Sequence, residues 1–90
     1  MNKAELTARI ARDTGLTKAD ANRALDAFTL HVTKTLKRGG KVTLVGFGTF
    51  CVLRRRARSG RDPHTGARIR IPARRTPKFA PGKGLKDSLR

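Results

Sequence analysis

The sequence predicts an α+β chain, and three observations carry that prediction. Apolar residues recur every three or four positions as far as Arg38; glycines then flank a short alternating stretch; and a segment dense in arginine, Arg54 to Arg75, alternates isoleucine with arginine beyond a proline-containing turn. The pattern is two helices, three strands and one short terminal helix.

Asn2 is placed to cap a helix beginning at Lys3, with Glu5 three residues later completing a capping box. Leu6, Ile10 and Ala11 give it a narrow apolar stripe, and it ends near Gly15. Thr17 is the next cap, with Asp20 at its third position. The stripe that follows is wider: Ala21, Ala24, Leu25, Phe28, Val32 and Leu36. A helix from Lys18 to about Arg38 would run roughly 30 Å before Gly39-Gly40 stops it. Joined through Thr14-Gly15-Leu16-Thr17, the two helices look superficially like a helix-turn-helix reader. The second helix, however, carries its large apolar residues on one face and few base-reading side chains near its start, the pattern of a core or dimer-interface helix.

Next, Lys41–Val45 and Thr49–Leu53 form a hairpin about Gly46-Phe47-Gly48, with Val42 and Leu44 on one side and Phe50 and Val52 sharing a face. Gly-Phe-Gly is read as a turn, because it lacks the Lys-Ser/Thr and helix entry of a P-loop and the third glycine of a dinucleotide fingerprint. Cys51, between Phe50 and Val52, is expected to be a small buried residue; a lone cysteine closes no intramolecular disulfide.

From Arg54 to Arg75 the chain reads as a long basic β-hairpin turning at Gly60–Gly66, with Pro63 near its tip. Too few of its side chains are apolar to bury both faces, and a two-stranded hairpin alone is at best marginally stable in water. It needs a body to hold it and a polyanion to lie against. Pro77, Phe79 and Pro81 then return the chain to apolar contact, and residues 82–90 form a short helix with Leu85 and Leu89 inward and Lys83 and Lys86 outward.

Ninety residues suit one domain that gains stability by pairing with a second copy. The formal charge is +16, from 22 Lys plus Arg against 6 Asp plus Glu. It is uneven: residues 53–90 carry 13 basic and 2 acidic side chains, the first 52 residues 9 and 4. Self-repulsion on that scale points to a nucleic-acid partner met by the second half. No stretch resembles a secretory signal or reaches the roughly 20 apolar residues of a membrane span, so a cytoplasmic protein is expected. His31 and His64 have no cysteine or carboxylate cluster at ligand spacing, and no nucleophile, base and orienting acid form a convincing arrangement; neither metal, cofactor nor enzymatic activity is expected.

The residues also resemble the HU and integration-host-factor family of bacterial DNA-bending proteins, closest to the HU type. The likeness spans the whole chain without gaps: Asn2-Lys3 and Glu5-Leu6, Gly46-Phe47-Gly48-Thr49-Phe50, Arg55, Arg58, Gly60-Arg61, Pro63, Thr65-Gly66, Ile69, Ile71-Pro72-Ala73, Pro77, Phe79, Gly82-Lys83 and Leu85-Lys86-Asp87. It implies an intertwined homodimer with a helical base, a saddle of antiparallel strands and two arms that reach round double-stranded DNA through the minor groove. On that reading residues 1–90 are one domain: a dimerisation body at 1–53, a basic arm at 54–75, and a return strand and helix at 76–90. Leu25, Phe28, Val32, Leu36, Leu44, Phe47, Phe50 and Phe79 would fill the dimer core.

Pro63 matches the family's wedge, Arg55, Arg58 and Arg61 its arm arginines, and Lys83 and Lys86 the body lysines that hold flanking phosphates. Lys3, Arg68, Arg70 and Lys78 are further expected DNA contacts. There are two departures. Asp62 stands where the family commonly has Asn, placing a carboxylate near phosphates that weakens the tip contact or pairs with Arg61. Arg54, Arg56, Arg74 and Arg75 make the arm base more cationic, so contact is expected further down.

Proline suits a wedge because its ring is rigid and apolar and has no amide hydrogen to satisfy inside a base stack; it also simply shapes a turn. The function implied is a histone-like, nucleoid-associated protein that bends DNA with low sequence specificity and prefers bent, nicked or junction forms. The alternatives are an RNA-binding or ribosome-associated structural protein and a sequence-specific host-factor-like subunit.

Overall fold

The side chain of Asn2 opens the first helix, its Oδ1 accepting the Glu5 amide at 2.9 Å. The computed structural model describes all 90 residues, and in it helix α1 runs Lys3–Thr14. Glu5 returns no bond to Asn2, so this cap is one-sided. Gly15 ends α1 at φ 76°, its amide donating to the Ala11 carbonyl. Thr17 Oγ1 accepts the Asp20 amide at 3.1 Å and opens α2, Lys18–Lys37, one residue shorter than predicted.

The chain divides into two units, Met1–Thr35 and Leu36–Arg90. In the first, the buried residues are all small: Thr7 and Ala11 on α1 and Ala21 on α2. Thr7 satisfies its hydroxyl by donating to the Lys3 carbonyl at 2.8 Å. Lys3 Nζ forms an ion pair with Asp26, tying α1 to α2. The predicted stripes are only partly covered: Ile10, Leu25 and Val32 are half-buried, while Leu6 and Phe28 remain 37% and 38% exposed.

The second unit holds five strands where three were expected. β1 (Val42–Leu44), β2 (Gly48–Arg55) and β5 (Arg74–Pro81) form an antiparallel sheet in the order β1-β2-β5. β3 (Arg58–Arg61) and β4 (Arg68–Ile71) form a separate two-stranded ribbon. The arginine-rich hairpin is therefore one excursion in two segments, interrupted at residues 56–57 and 72–73. Pro72 gives the interruption a cause: it has no amide to donate to the ladder and restrains the residue before it.

The turn predicted at Gly46-Phe47-Gly48 is present one residue earlier, at Val45-Gly46-Phe47, and Gly48 already opens β2. The Phe47 amide donates to the Leu44 carbonyl at 2.9 Å, and Gly46 sits at φ 83° in the third position, where type II turns call for glycine. Gly48 is required for space: a Cβ there would lie 2.5 Å from the Phe79 ring and 2.7 Å from the Ala80 carbonyl oxygen. Phe79 packs at 5.3 Å from Phe47 and 5.0 Å from Phe50, centroid to centroid. Cys51, expected to be buried, is half-buried on the opposite face of β2 from Phe50.

Helix α3 spans Lys83–Ser88. Leu85 is half-buried as expected, but Leu89 is 81% exposed, because the helix ends one residue short of carrying it onto the inward face. No helix is long and apolar enough to cross a membrane.

Candidate nucleic-acid interface

The register of the ribbon divides its side chains by chemistry. Arg58 pairs with Ile71, Ser59 with Arg70, Gly60 with Ile69 and Arg61 with Arg68. Cross-strand partners share a face, so Gly60, Ile69 and Ile71 lie on one side with Arg58, and Arg61, Arg68 and Arg70 on the other with Ser59. Four arginines thus rise from eight paired positions on strands bonded to no third strand.

The tip is held by its own hydrogen bonds. The Asp62 amide donates to the Ala67 carbonyl and the Gly66 amide to the Asp62 carbonyl, both at 2.8 Å, with Gly66 at φ 69°. Asp62 Oδ1 accepts the His64 amide at 2.8 Å, and Thr65 Oγ1 accepts the Ala67 amide at 3.2 Å. Both are side chains bonding the backbone two residues on, a turn-making habit of Asp and Thr. Pro63 sits exposed between them, where its missing amide leaves nothing unsatisfied.

Asp62 therefore does something the sequence reading missed. It forms no ion pair with Arg61; its carboxylate organises the turn that presents Pro63. The i, i+2 spacing from Asp62 to His64 and from Thr65 to Ala67 is the signal that could have found it.

At the ribbon's root, Arg55, Arg56, Arg58 and Arg74 surround an open groove of about 840 Å³ lined also by Leu53 and Ile71. The neighbouring sheet alternates in the same way: Arg55 pairs with Arg74 and Cys51 with Lys78 on one face, Arg54 with Arg75 and Phe50 with Phe79 on the other. Lys83 and Lys86 lie three residues apart on α3, both exposed. All the sequence-predicted cations are exposed, and among them only Lys3 meets a carboxylate. Arg75, though exposed, donates from Nη1 to the Lys37 carbonyl at 3.0 Å. No three His, Cys, Asp or Glu side chains assemble as a ligand set.

A surface of this kind, cationic and largely without internal counter-charges, can neutralise a row of phosphates. Comparison with known proteins agrees with that chemistry. The family model described as bacterial DNA-binding protein matches residues 1–90. The DNA-binding protein HRL18 of Rhizobium leguminosarum is 55% identical over 89 residues, covering 99% of this chain and 98% of that one. The DNA-binding protein HU of Geobacillus stearothermophilus is 49% identical over 90 residues and covers both chains in full. Among solved structures, an HU–DNA cocrystal structure from Anabaena superposes with a TM-score of 0.84 at 40% identity, covering 99% of this chain and 97% of that one.

Proposed function

The chain belongs to the bacterial DNA-binding protein family of HU and integration host factor, and from that premise we propose that it is a histone-like architectural protein that binds and bends double-stranded DNA. The observation that carries this reading is the β3–β4 ribbon, paired only with itself, with unpaired arginines along it and an exposed proline at its tip.

Arg58, Arg61, Arg68 and Arg70 contact the DNA along the ribbon, and Arg55, Arg56 and Arg74 extend that contact around the root groove. Arginine fits the task because its flat, permanently charged fork enters a narrow minor groove and reaches phosphate, sugar and base edge together. The minor groove separates A·T from G·C but little else, so recognition is by deformability more than by sequence. Pro63 enters a base step, an unstacking that costs on the order of a few kcal/mol and is offset by the extra phosphates the bend brings to the protein. Lys83, Lys86 and Lys78 hold flanking phosphates, with Lys3 joining them once released from Asp26. Such a protein is nucleoid-associated.

A second copy of the chain completes the fold. No large side chain is fully buried, and Phe28, Leu30 and Phe47 are 38%, 51% and 46% exposed. A 90-residue chain is short of core even when well packed. Leu25, Phe28, Val32, Leu36, Leu44, Phe47, Phe50 and Phe79 would be the residues a homodimer covers, with 1–53 as its body, 54–75 as its arm and 76–90 as the returning segment.

The test is a gel-shift series with linear, nicked and four-way-junction DNA beside a measurement of mass in solution. Tighter binding to the nicked and junction forms by a species of twice the chain mass is expected. A monomer, or a clear preference for structured RNA, would overturn the reading.

A further inference from the structure

The arginines at the arm root do not share one environment. Arg54 and Arg75 are register partners on the sheet face that also carries Phe50 and Phe79, whereas Arg55 and Arg74 are partners on the opposite face. Two like charges directly opposite each other destabilise a strand pair unless something compensates them. For Arg54 and Arg75 the compensation is visible at the end of α2.

Helix α2 finishes at Lys37, and its last carbonyls lack intrahelical partners and carry the negative end of the helix dipole. Arg75 Nη1 donates to the Lys37 carbonyl at 3.0 Å, a bond across 38 residues of sequence. Gly39, at φ 80°, donates its amide to the Leu36 carbonyl at 3.0 Å. The Arg54 guanidinium lies so close over Gly39 that a Cβ at that residue would collide with it. Both guanidiniums thus gather where the helix end is electronegative and where glycine leaves room.

We propose that Arg75, seconded by Arg54, is a positioning pair: it caps the C-terminus of α2 and fastens the root of the DNA-binding arm to it, and is not a phosphate ligand. The inference rests on the DNA-binding reading for its consequence but not for its geometry. The root arginines then divide the labour, with Arg55 and Arg74 facing the groove and Arg54 and Arg75 setting where the arm begins.

The experiment compares Arg75→Ala, Arg75→Gln and Arg74→Ala in the full-length protein. Amide exchange in the free protein reads the cap. In Arg75→Ala the Gly39 amide is expected to exchange faster by up to about fivefold, the scale of a helix-end charge interaction, with Arg74→Ala unchanged. Arg75→Gln, a neutral side chain that can still donate to a carbonyl, should recover part of the protection. Salt titration on a nicked duplex reads the phosphates. Arg74→Ala should lower the slope of log K against log salt by roughly 0.9 for each phosphate it no longer neutralises, and Arg75→Ala should leave it unchanged.

A slope lowered equally by Arg75→Ala and Arg74→Ala, or Gly39 exchange untouched by Arg75→Ala, would overturn the proposal. A slope that no substitution moves counts instead against the DNA-binding reading, while the exchange measurement still decides the anchor.

Discussion

Two antiparallel structures of the same unit are built on opposite terms. The sheet β1-β2-β5 carries an aromatic cluster, Phe47, Phe50 and Phe79, around a glycine that no larger residue can replace. The ribbon β3-β4 carries Ile69 and Ile71 as its only large apolar side chains, and its tip depends on Asp62, Thr65 and Gly66 for shape. Stability is thus concentrated in the first and charge in the second. Substitutions should separate accordingly, stability changes from the sheet and DNA changes from the ribbon.

The sharpest way to break that division is at Gly48. Gly48→Ala drives a methyl into the Phe79 ring and the Ala80 carbonyl, and should unfold the protein or lower its melting temperature by about ten degrees or more, the scale on which ~2 kcal/mol is felt in so small a domain. Phe79→Ala should cost about 3 kcal/mol by urea denaturation, at the low end for a phenylalanine because the ring is only half-buried in one chain. An unaltered denaturation midpoint in either variant would mean that the sheet is not where stability resides.

The ribbon should behave in reverse. Replacing Arg61, Arg68 and Arg70 together by alanine should leave the melting temperature nearly unchanged but weaken duplex binding by about tenfold or more at low salt and flatten its salt dependence. Pro63→Ala should retain most of the affinity for linear duplex while reducing the bend angle measured by fluorescence transfer; an unchanged bend would remove the wedge. The smallest effect is expected at Asp62. Asp62→Ala removes the acceptor for the His64 amide and should loosen the tip by about 1 kcal/mol, seen as faster exchange of that amide, whereas Asp62→Asn keeps an oxygen in place and should preserve it.

Much of this division is legible in the order of residues. Caps at Asn2 and Thr17, the glycine turn at Gly46 and the alternation of Ile69 and Ile71 with arginine are local signals, and each acts over a few residues of chain. The basic hairpin with a proline at its tip is legible from the alternation and the turn residues, and the likeness to HU added only the wedge role expected of Pro63. The misplaced elements are local in origin too: Leu89 lies beyond the end of α3, and Pro72 splits what looks like one pair of strands into two. Asp62 reads as a charge, although its spacing to His64 marks it as a turn-making acceptor.

Composition and periodicity by themselves determined the class of fold, the excess of positive charge and the half of the chain that bears it, because hydrophobic period, capping and net charge depend only on the order of residues. Which arginines of that half share a face was decided by tertiary structure alone. Arg54, Arg55, Arg74 and Arg75 are chemically identical in the sequence; strand register turns two of them toward one face and two toward the other, and the carbonyl that receives Arg75 comes from a helix that ends 38 residues earlier.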